Sequence, residues 1–437
     1  MIQAASNAAA APVKPSLREL TEACLKVGCL GFGGPAGQIA LMHRTFVDEK
    51  KWVDEERYLH ALNYCMLLPG PEAQQLATYV GWLLLGVRGG IIAGALFVLP
   101  GALIVFGLSW LYAVHAHAPL VAALFYGIKA AVLALVFEAL VRIGKRALKT
   151  RVDLLIAILA FGALYLFGAP FPIVIIVAAM FGLWRARSKP APAQQQILVQ
   201  PSTVGALSAA AIWGIVWLAP LAASFTMLGR DHVLTHVGIL FSQLSVVTFG
   251  GAYAVLSYLQ QQAVDTQHWL SAGQMIDGLG LAETTPGPLI LVNQYVGFLA
   301  GWQAKGGGFA MAVAAAAMAS WCTFAPSYLW IFAGAPYAER VRNNRYGAGA
   351  LGAITAAVLG VIANLAIWFG LHVLFTRDAM MTSPWGHTLG VPEVTSFDPA
   401  AALIALAAGV ALMRFKANVV LVIMLCALAG CARLLLP

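Results

Sequence analysis

Long apolar runs separated by short polar segments fill this chain: Gly89–His115, Pro119–Leu140, Val152–Phe167, Pro172–Trp184, Val204–Ala223, Gly307–Phe332, Ala348–Phe375 and Val419–Leu436. Most reach or approach the ~20 residues that a membrane-spanning helix needs. Strand-type alternation over ~10 residues is absent, which argues against a barrel. The pattern predicts an all-α polytopic membrane protein.

Composition strengthens this reading. Of 437 residues, 61% are hydrophobic and 10% charged, against roughly 25% charged in soluble domains; mean hydropathy is +0.81. So few polar residues could not cover a soluble fold of this length, and the partner they imply is a lipid bilayer. Met1–Ala11 lacks a charged n-region and an apolar h-region, so it reads as a tail and not as a signal peptide. The net charge of +8 falls in loops, where it serves orientation and not nucleic-acid binding. The six cysteines, Cys24, Cys29, Cys65, Cys322, Cys426 and Cys431, form no CxxC pair and read as packing residues. No metal-ligand cluster, phosphate loop or nucleophile elbow appears, so neither a cofactor nor a metal is expected.

The chain repeats itself. Phe32-Gly33-Gly34 recurs 217 residues later as Phe249-Gly250-Gly251, and the same displacement maps Trp52 onto Trp269 and Pro69-Gly70-Pro71 onto Pro286-Gly287-Pro288. Across positions 32–71 this gives ten identities in forty without a gap. The expected layout is a tail over 1–16, a first membrane repeat over 17–184 and a linker over 185–202. An extra transmembrane helix over 203–224 and a second repeat over 225–437 follow. One extra crossing would invert the second repeat, and loop charges agree, since Lys and Arg concentrate on the cytoplasmic side. Arg142, Lys145, Arg146, Lys149 and Arg151 fill one loop of the first repeat; its counterpart has Arg377 against Asp378, Glu393 and Asp398. Conversely, the uncharged loop His115–Pro119 has a counterpart with Arg340, Arg342 and Arg345. The expectation is two inverted repeats, the N-terminus cytoplasmic and the C-terminus outside. Because Arg44 to Arg57 is densely charged, the motif-bearing segments are expected as re-entrant hairpins: about nine crossings and four hairpins.

Gly-Gly-Pro and Pro-Gly-Pro are helix breaks followed by new helices, with Pro35 and Pro71 suited to the first helical position. Non-helical backbone inside a bilayer is tolerated where it faces protein or a water-filled cavity. The next N–H groups have no intrahelical partners and carry the positive end of the helix dipole, glycine allows close approach, and such a terminus binds anions. Paired broken helices in inverted repeats are where transporters hold substrate. A small inorganic oxyanion is therefore the expected cargo.

Ser16 and Glu19 form a capping-box signature, after which Arg18, Glu22 and Lys26 make a stripe toward the first break. Lys26 aligns with Gln243, so both repeats place a donor there. Glu72 and Glu283 stand beside the two Pro-Gly-Pro motifs as proton-coupling candidates. Lys129 and Glu138, nine residues apart on one spanning helix, rank second as intramembrane ionisable groups; Glu138 can pair with Arg142.

Phe32-Gly33-Gly34-Pro35, the run Leu68-Pro69-Gly70-Pro71-Glu72-Ala73-Gln74-Gln75, and Glu283-Thr284-Thr285-Pro286-Gly287-Pro288 closely resemble the chromate ion transporter family in its long, two-domain ChrA type. The resemblance covers nearly the whole chain from Leu17. It implies a bacterial inner-membrane secondary transporter, monomeric or homodimeric, that exports chromate and confers resistance, with sulfate as the analogue. It carries Gln74, Gln75 and the motif residues, with Phe249, Gly250 and Gly251, over as substrate-site positions. Ala252 departs from the pattern by standing where the first repeat has Pro35. The residues alone leave other readings open: a sulfate or other oxyanion transporter, a channel, or a membrane-embedded enzyme.

Overall fold

A computed structural model describes residues 14–32, 34–187, 203–249, 251–342, 345–382 and 388–433. Its α-helices run in chain order as α1 (Leu17–Leu30), α2 (Gly34–His43), α3 (Glu55–Cys65), α4 (Glu72–His115), α5 (Pro119–Ala147), α6 (Arg151–Phe167), α7 (Phe171–Ala186) and α8 (Thr203–Leu228). There follow α9 (Val233–Val247), α10 (Ala252–Gln260), α11 (Ala272–Thr284), α12 (Val292–Gln303), α13 (Phe309–Arg342), α14 (Arg345–Leu374), α15 (Pro399–Met413) and α16 (Val419–Arg433). Among the described residues, α4, α5, α8, α13 and α14 contain stretches long and apolar enough to cross a membrane, and α7, α9, α15 and α16 are shorter apolar helices. Leu103, Leu159, Met180, Leu207 and Leu403 are each more than half exposed on helix faces, as lipid-facing residues are. The protein is an all-α multi-pass membrane protein.

Two details depart from the sequence reading. A two-stranded antiparallel hairpin, β1 (Asp378–Thr382) and β2 (Thr388–Pro392), follows α14, in a segment too polar and too rich in Gly and Pro to continue the helix. The helix expected to end at residue 224 continues to Leu228, because Phe225-Thr226-Met227-Leu228 has no breaker before Gly229. The tail through residue 13 and linker residues 188–202 lie outside the described residues.

The long α4 is two arms. Leu85 and Gly86 leave helical geometry, Gly86 at φ 64° and ψ −154°, and the chain doubles back there. A methyl group on Gly81 would come within 2.4 Å of the Gly89 carbonyl oxygen, and one on Gly94 within 2.2 Å of Thr78 Oγ1. On a straight helix those pairs would stand ~12 and ~24 Å apart. Glycine at 81 and 89 lets the arms touch backbone to backbone, and glycine at 94 leaves room for the Thr78 side chain. α12 and α13 pack in the same way, with Gly297 and Gly301 against Ala315 and Met311.

Local conformation recurs at the sequence displacement of 217. A π-helical turn spans Arg44–Glu49 and another Gln261–Thr266. Lys51 and His268 both take positive φ, at 53° and 51°. The Trp52 N–H donates to the Phe46 carbonyl at 2.9 Å, and the Trp269 N–H to the Ala263 carbonyl at 2.8 Å. Ser16 and Glu19 form their capping box at the start of α1. The charged segment after α2 is laced by surface pairs, Arg44–Glu49 at 2.9 Å and His43–Glu55 at 2.6 Å.

The ends of the bundle differ in charge. The end of α5, the start of α6, the end of α7 and the start of α14 meet around Arg146, Lys149 and Arg185. At the opposite end of α5, Tyr126 donates to Asp398 at 2.8 Å, and Arg433 pairs with the same carboxylate at 2.9 Å.

Candidate substrate site

The four helix breaks meet. Pro35 and Gln38 of α2, Gly70, Pro71, Glu72 and Ala73 at the start of α4, Thr248, Gly251 and Ala252 at the α9–α10 break, and Pro288, Leu289 and Ile290 line one small cavity. Each break turns on a glycine in a conformation other residues rarely adopt: Gly34 at φ 71°, Gly70 at 111°, Gly251 at 99° and Gly287 at 94°. Gly33 and Gly250 lie outside the described residues.

The breaks are joined in crossed pairs. The Gly70 N–H donates to the Thr248 carbonyl at 2.9 Å, and the Gly287 N–H to the Gly31 carbonyl at 3.0 Å. Since 31 and 248, like 70 and 287, differ by 217, the two bonds are counterparts. Each Pro-Gly-Pro is thus satisfied by the Phe-Gly-Gly region of the other half. The fully buried Gln38 adds a side-chain tie, its Nε2 donating to the carbonyls of Gly31 at 3.2 Å and Gly287 at 2.5 Å.

Among the described residues, no Lys or Arg lines the cavity. Two helices begin at its wall, α4 after its N-cap Pro71 and α10 after its N-cap Gly251, and a helix start carries first-turn N–H groups without intrahelical acceptors and the positive end of the dipole. Pro71 is therefore the cap and not the first helical residue, and Pro35 is the second residue of α2. At about 20 Å³ the cavity admits about one water-sized guest, less than a tetrahedral oxyanion needs.

Other expected positions are distributed around this centre. Gln74 and Gln75 are fully buried behind the first Pro-Gly-Pro, their amide groups donating to Phe324 O at 3.4 Å and Pro69 O at 2.7 Å. Among the described residues their side-chain carbonyl oxygens have no partner; Gln75 ties the break at Pro69, and Gln74 ties α4 to α13. Pro286 packs its carbonyl against α4 at Gly101. Phe32 and Phe249 flank their breaks, Phe32 exposed and Phe249 half-buried. Lys26 is 57% exposed and faces Glu49 at 3.8 Å, and Gln243 is also exposed, so neither enters the cavity. Arg18 and Glu22 form an exposed ion pair at 2.9 Å. Glu72 lies in the cavity wall. Glu283 is buried and accepts from Tyr253 Oη at 2.5 Å. Glu138 pairs with Arg142 at 3.3 Å.

Gln38, Thr248, Tyr253 and Asp277 did not stand out in the sequence. Asp277, buried on α11, accepts from Tyr112 Oη at 2.8 Å and faces Lys129 Nζ at 3.4 Å. An aspartate within the apolar run Met275–Leu281, with Lys129 already marked, was the available signal for that pair.

The profile of the family described as chromate transporter matches residues 18–183 and 235–431. The chain belongs to the chromate transporter family. It is 32% identical over 368 residues to a chromate transport protein of Pseudomonas aeruginosa, covering 82% of each chain. To a chromate transport protein of Cupriavidus metallidurans it is 28% identical over 354 residues, 80% of this chain and 82% of the relative. A Bacillus subtilis transporter, YwrB, is 30% identical over 175 residues, which is 39% of this chain and 89% of its own length. No solved structure matches.

Proposed function

We propose that this protein exports chromate across a bacterial inner membrane and so confers chromate resistance, with the cavity at the four breaks as its substrate site. The observation that carries the reading is the convergence of the breaks on one cavity at whose wall two helices begin. Neutral backbone donors hold a tetrahedral dianion through dipoles and hydrogen bonds. Release is then easier than from a site built on fixed cations. Membership in the family, and relatives that are chromate transport proteins over most of their length, select chromate among oxyanions; sulfate, similar in size and charge, is the natural competitor.

Two inverted halves explain the crossed pairing. The crossed backbone bonds favour two halves related by a two-fold axis through the cavity, the arrangement in which transporters rock about a central site. The clustering of Arg146, Lys149 and Arg185 with the start of α14 favours that end as cytoplasmic, leaving the C-terminus outside. The shortness of α1, α2, α3 and the first arm of α4, each under the ~20 residues of a spanning helix, favours re-entrant hairpins. One chain supplies the whole site, so a monomer suffices and a homodimer would hold two sites.

The test is chromate accumulation by everted vesicles, with and without the protein, and its competition by sulfate. Protein-dependent, saturable accumulation is expected. Accumulation equal to that of empty vesicles would overturn the transport reading; accumulation of another oxyanion in preference to chromate would overturn the substrate alone.

A further inference from the structure

At the basic end of the bundle a second cavity, of about 270 Å³, opens between the α5–α6 junction, α7 and α14. Arg146, Lys149 and Arg185 line it, with Asp153 as its one carboxylate. Asp153 is already engaged: it accepts from the Thr150 N–H at 2.9 Å as part of a capping box and faces Arg185 at 3.4 Å. Among the described residues no carboxylate stands within ion-pair distance of Arg146 or Lys149. The lining thus carries three cations against one anion, an excess of two.

One turn deeper on both α6 and α14, a groove of about 460 Å³ begins and runs into the membrane. Asp153 of the basic cavity is followed by Ala157 and Phe161 of the groove, and Thr355 by Leu359 and Ile367. The groove is open along its length, and every side chain lining it is apolar. From Gly352 to Ile367 the two cavities cover ~22 Å of α14, from the polar surface well into a ~30 Å hydrocarbon core.

A cationic mouth joined to an apolar track has the shape and polarity of a phospholipid. Positive-inside residues alone account for basic loops, and lipid-facing leucines for apolar surface. Neither accounts for a recess in both, in register on the same two helices. We propose that this composite recess is a binding site for a phosphate-bearing anionic lipid. The phosphate sits among Arg146, Lys149 and Arg185, and an acyl chain lies in the groove past Leu359 and Phe161. Basic pockets between membrane helices bind such headgroups by charge-assisted hydrogen bonds. The inference rests on membrane embedding and not on the identity of the cargo.

The test is native mass spectrometry of the full-length protein, purified in mild detergent and titrated with phosphatidylglycerol, phosphatidylcholine or inorganic phosphate. Phosphatidylglycerol is expected to bind with preference over phosphatidylcholine and to weaken roughly fivefold for each cation removed in Arg146→Gln and Lys149→Gln. Both residues are exposed, so folding is not at risk; a thermal melt verifies it. Ala363→Phe, which fills the groove and leaves the cations in place, is expected to reduce phosphatidylglycerol binding and not phosphate binding. Lipid affinity unchanged in the double Arg146→Gln, Lys149→Gln variant would overturn the proposal. So would inorganic phosphate displacing the lipid while Ala363→Phe has no effect, which would make the recess a free-anion site. Dimers that Ala363→Phe converts to monomers would instead give the groove to a second copy of the chain.

Discussion

The side-chain amide of Gln38 reaches from α2 to the carbonyl oxygen of Gly287 at 2.5 Å, so a residue of the first break holds the last one in place. Gln38→Leu is close in volume and removes both donations, leaving the Gly287 carbonyl short of a donor inside the bundle while the Gly31 carbonyl keeps the Gly287 N–H. Such a loss costs about 1–3 kcal/mol. Membrane insertion is expected to survive, and chromate accumulation to fall at least fivefold, the equivalent of about 1 kcal/mol. Wild-type accumulation in Gln38→Leu would reduce the contact to packing.

The glycines at the four breaks separate space from conformation. A methyl group on Gly251 meets nothing within 4 Å, yet its φ of 99° and ψ of 169° belong to a region that is essentially glycine-only. At Gly70 a methyl group would also stand 2.9 Å from Gln75 Nε2. Gly251→Ala is therefore expected to cost about 1–3 kcal/mol and to impair transport despite the open space, with Gly70→Val worse still. Transport assays normalised to the amount of inserted protein check the order. Normal activity in both would return these motifs to ordinary kinks.

Asp277 and Lys129 make an ion pair across α11 and α5, with Tyr112 as a third member. Asp277→Asn leaves an ammonium inside the bundle, for which about 3 kcal/mol is the ordinary loss. Replacing both, as Asp277→Asn with Lys129→Met, removes the charge with its partner and is expected to recover much of the thermal stability in detergent. A double variant no more stable than the single one would show that the two residues act independently.

Topology is testable by labelling a chain whose six native cysteines are replaced. A cysteine at Lys145 is expected to react with an impermeant reagent only from the cytoplasm, and one at Arg377 only from outside. Reaction of both from the same side would favour parallel halves.

A dianion leaving a negative interior gains about 4.6 kcal/mol per 100 mV, from ~2.3 kcal/mol per charge, enough for a roughly thousandfold gradient. Export is therefore expected to follow membrane potential when potential and pH gradient are clamped separately in loaded vesicles. Glu283→Gln, which alters the carboxylate held by Tyr253, is expected to flatten the dependence on pH. Efflux indifferent to potential would point to electroneutral exchange.

The helix breaks were legible because glycine and proline announce local backbone, and their recurrence at one displacement tied distant segments together. What joins them was not. Gln38 lies four residues past Gly34 and looks like any helical glutamine; its contact with Gly287 spans 249 residues and leaves no local trace. Lys26 misled for the converse reason. Its register toward the break was right, but helical periodicity does not say which face turns inward, and α1 buries Leu20, Cys24 and Val27 instead. The β-hairpin fell in a segment whose polarity marked a loop and nothing more.

The crossed bonds at Gly70 and Gly287 also bear on how the protein is made. The Gly70 N–H finds its acceptor at Thr248, a partner synthesised long after the first break. At 5–20 residues per second the wait is roughly 10–40 s. Over that interval the first half sits in lipid with unpaired backbone, at several kcal/mol per group. Biogenesis therefore calls for a shelter that holds the nascent first half, an insertase groove or a transient non-native pairing, until its counterpart arrives.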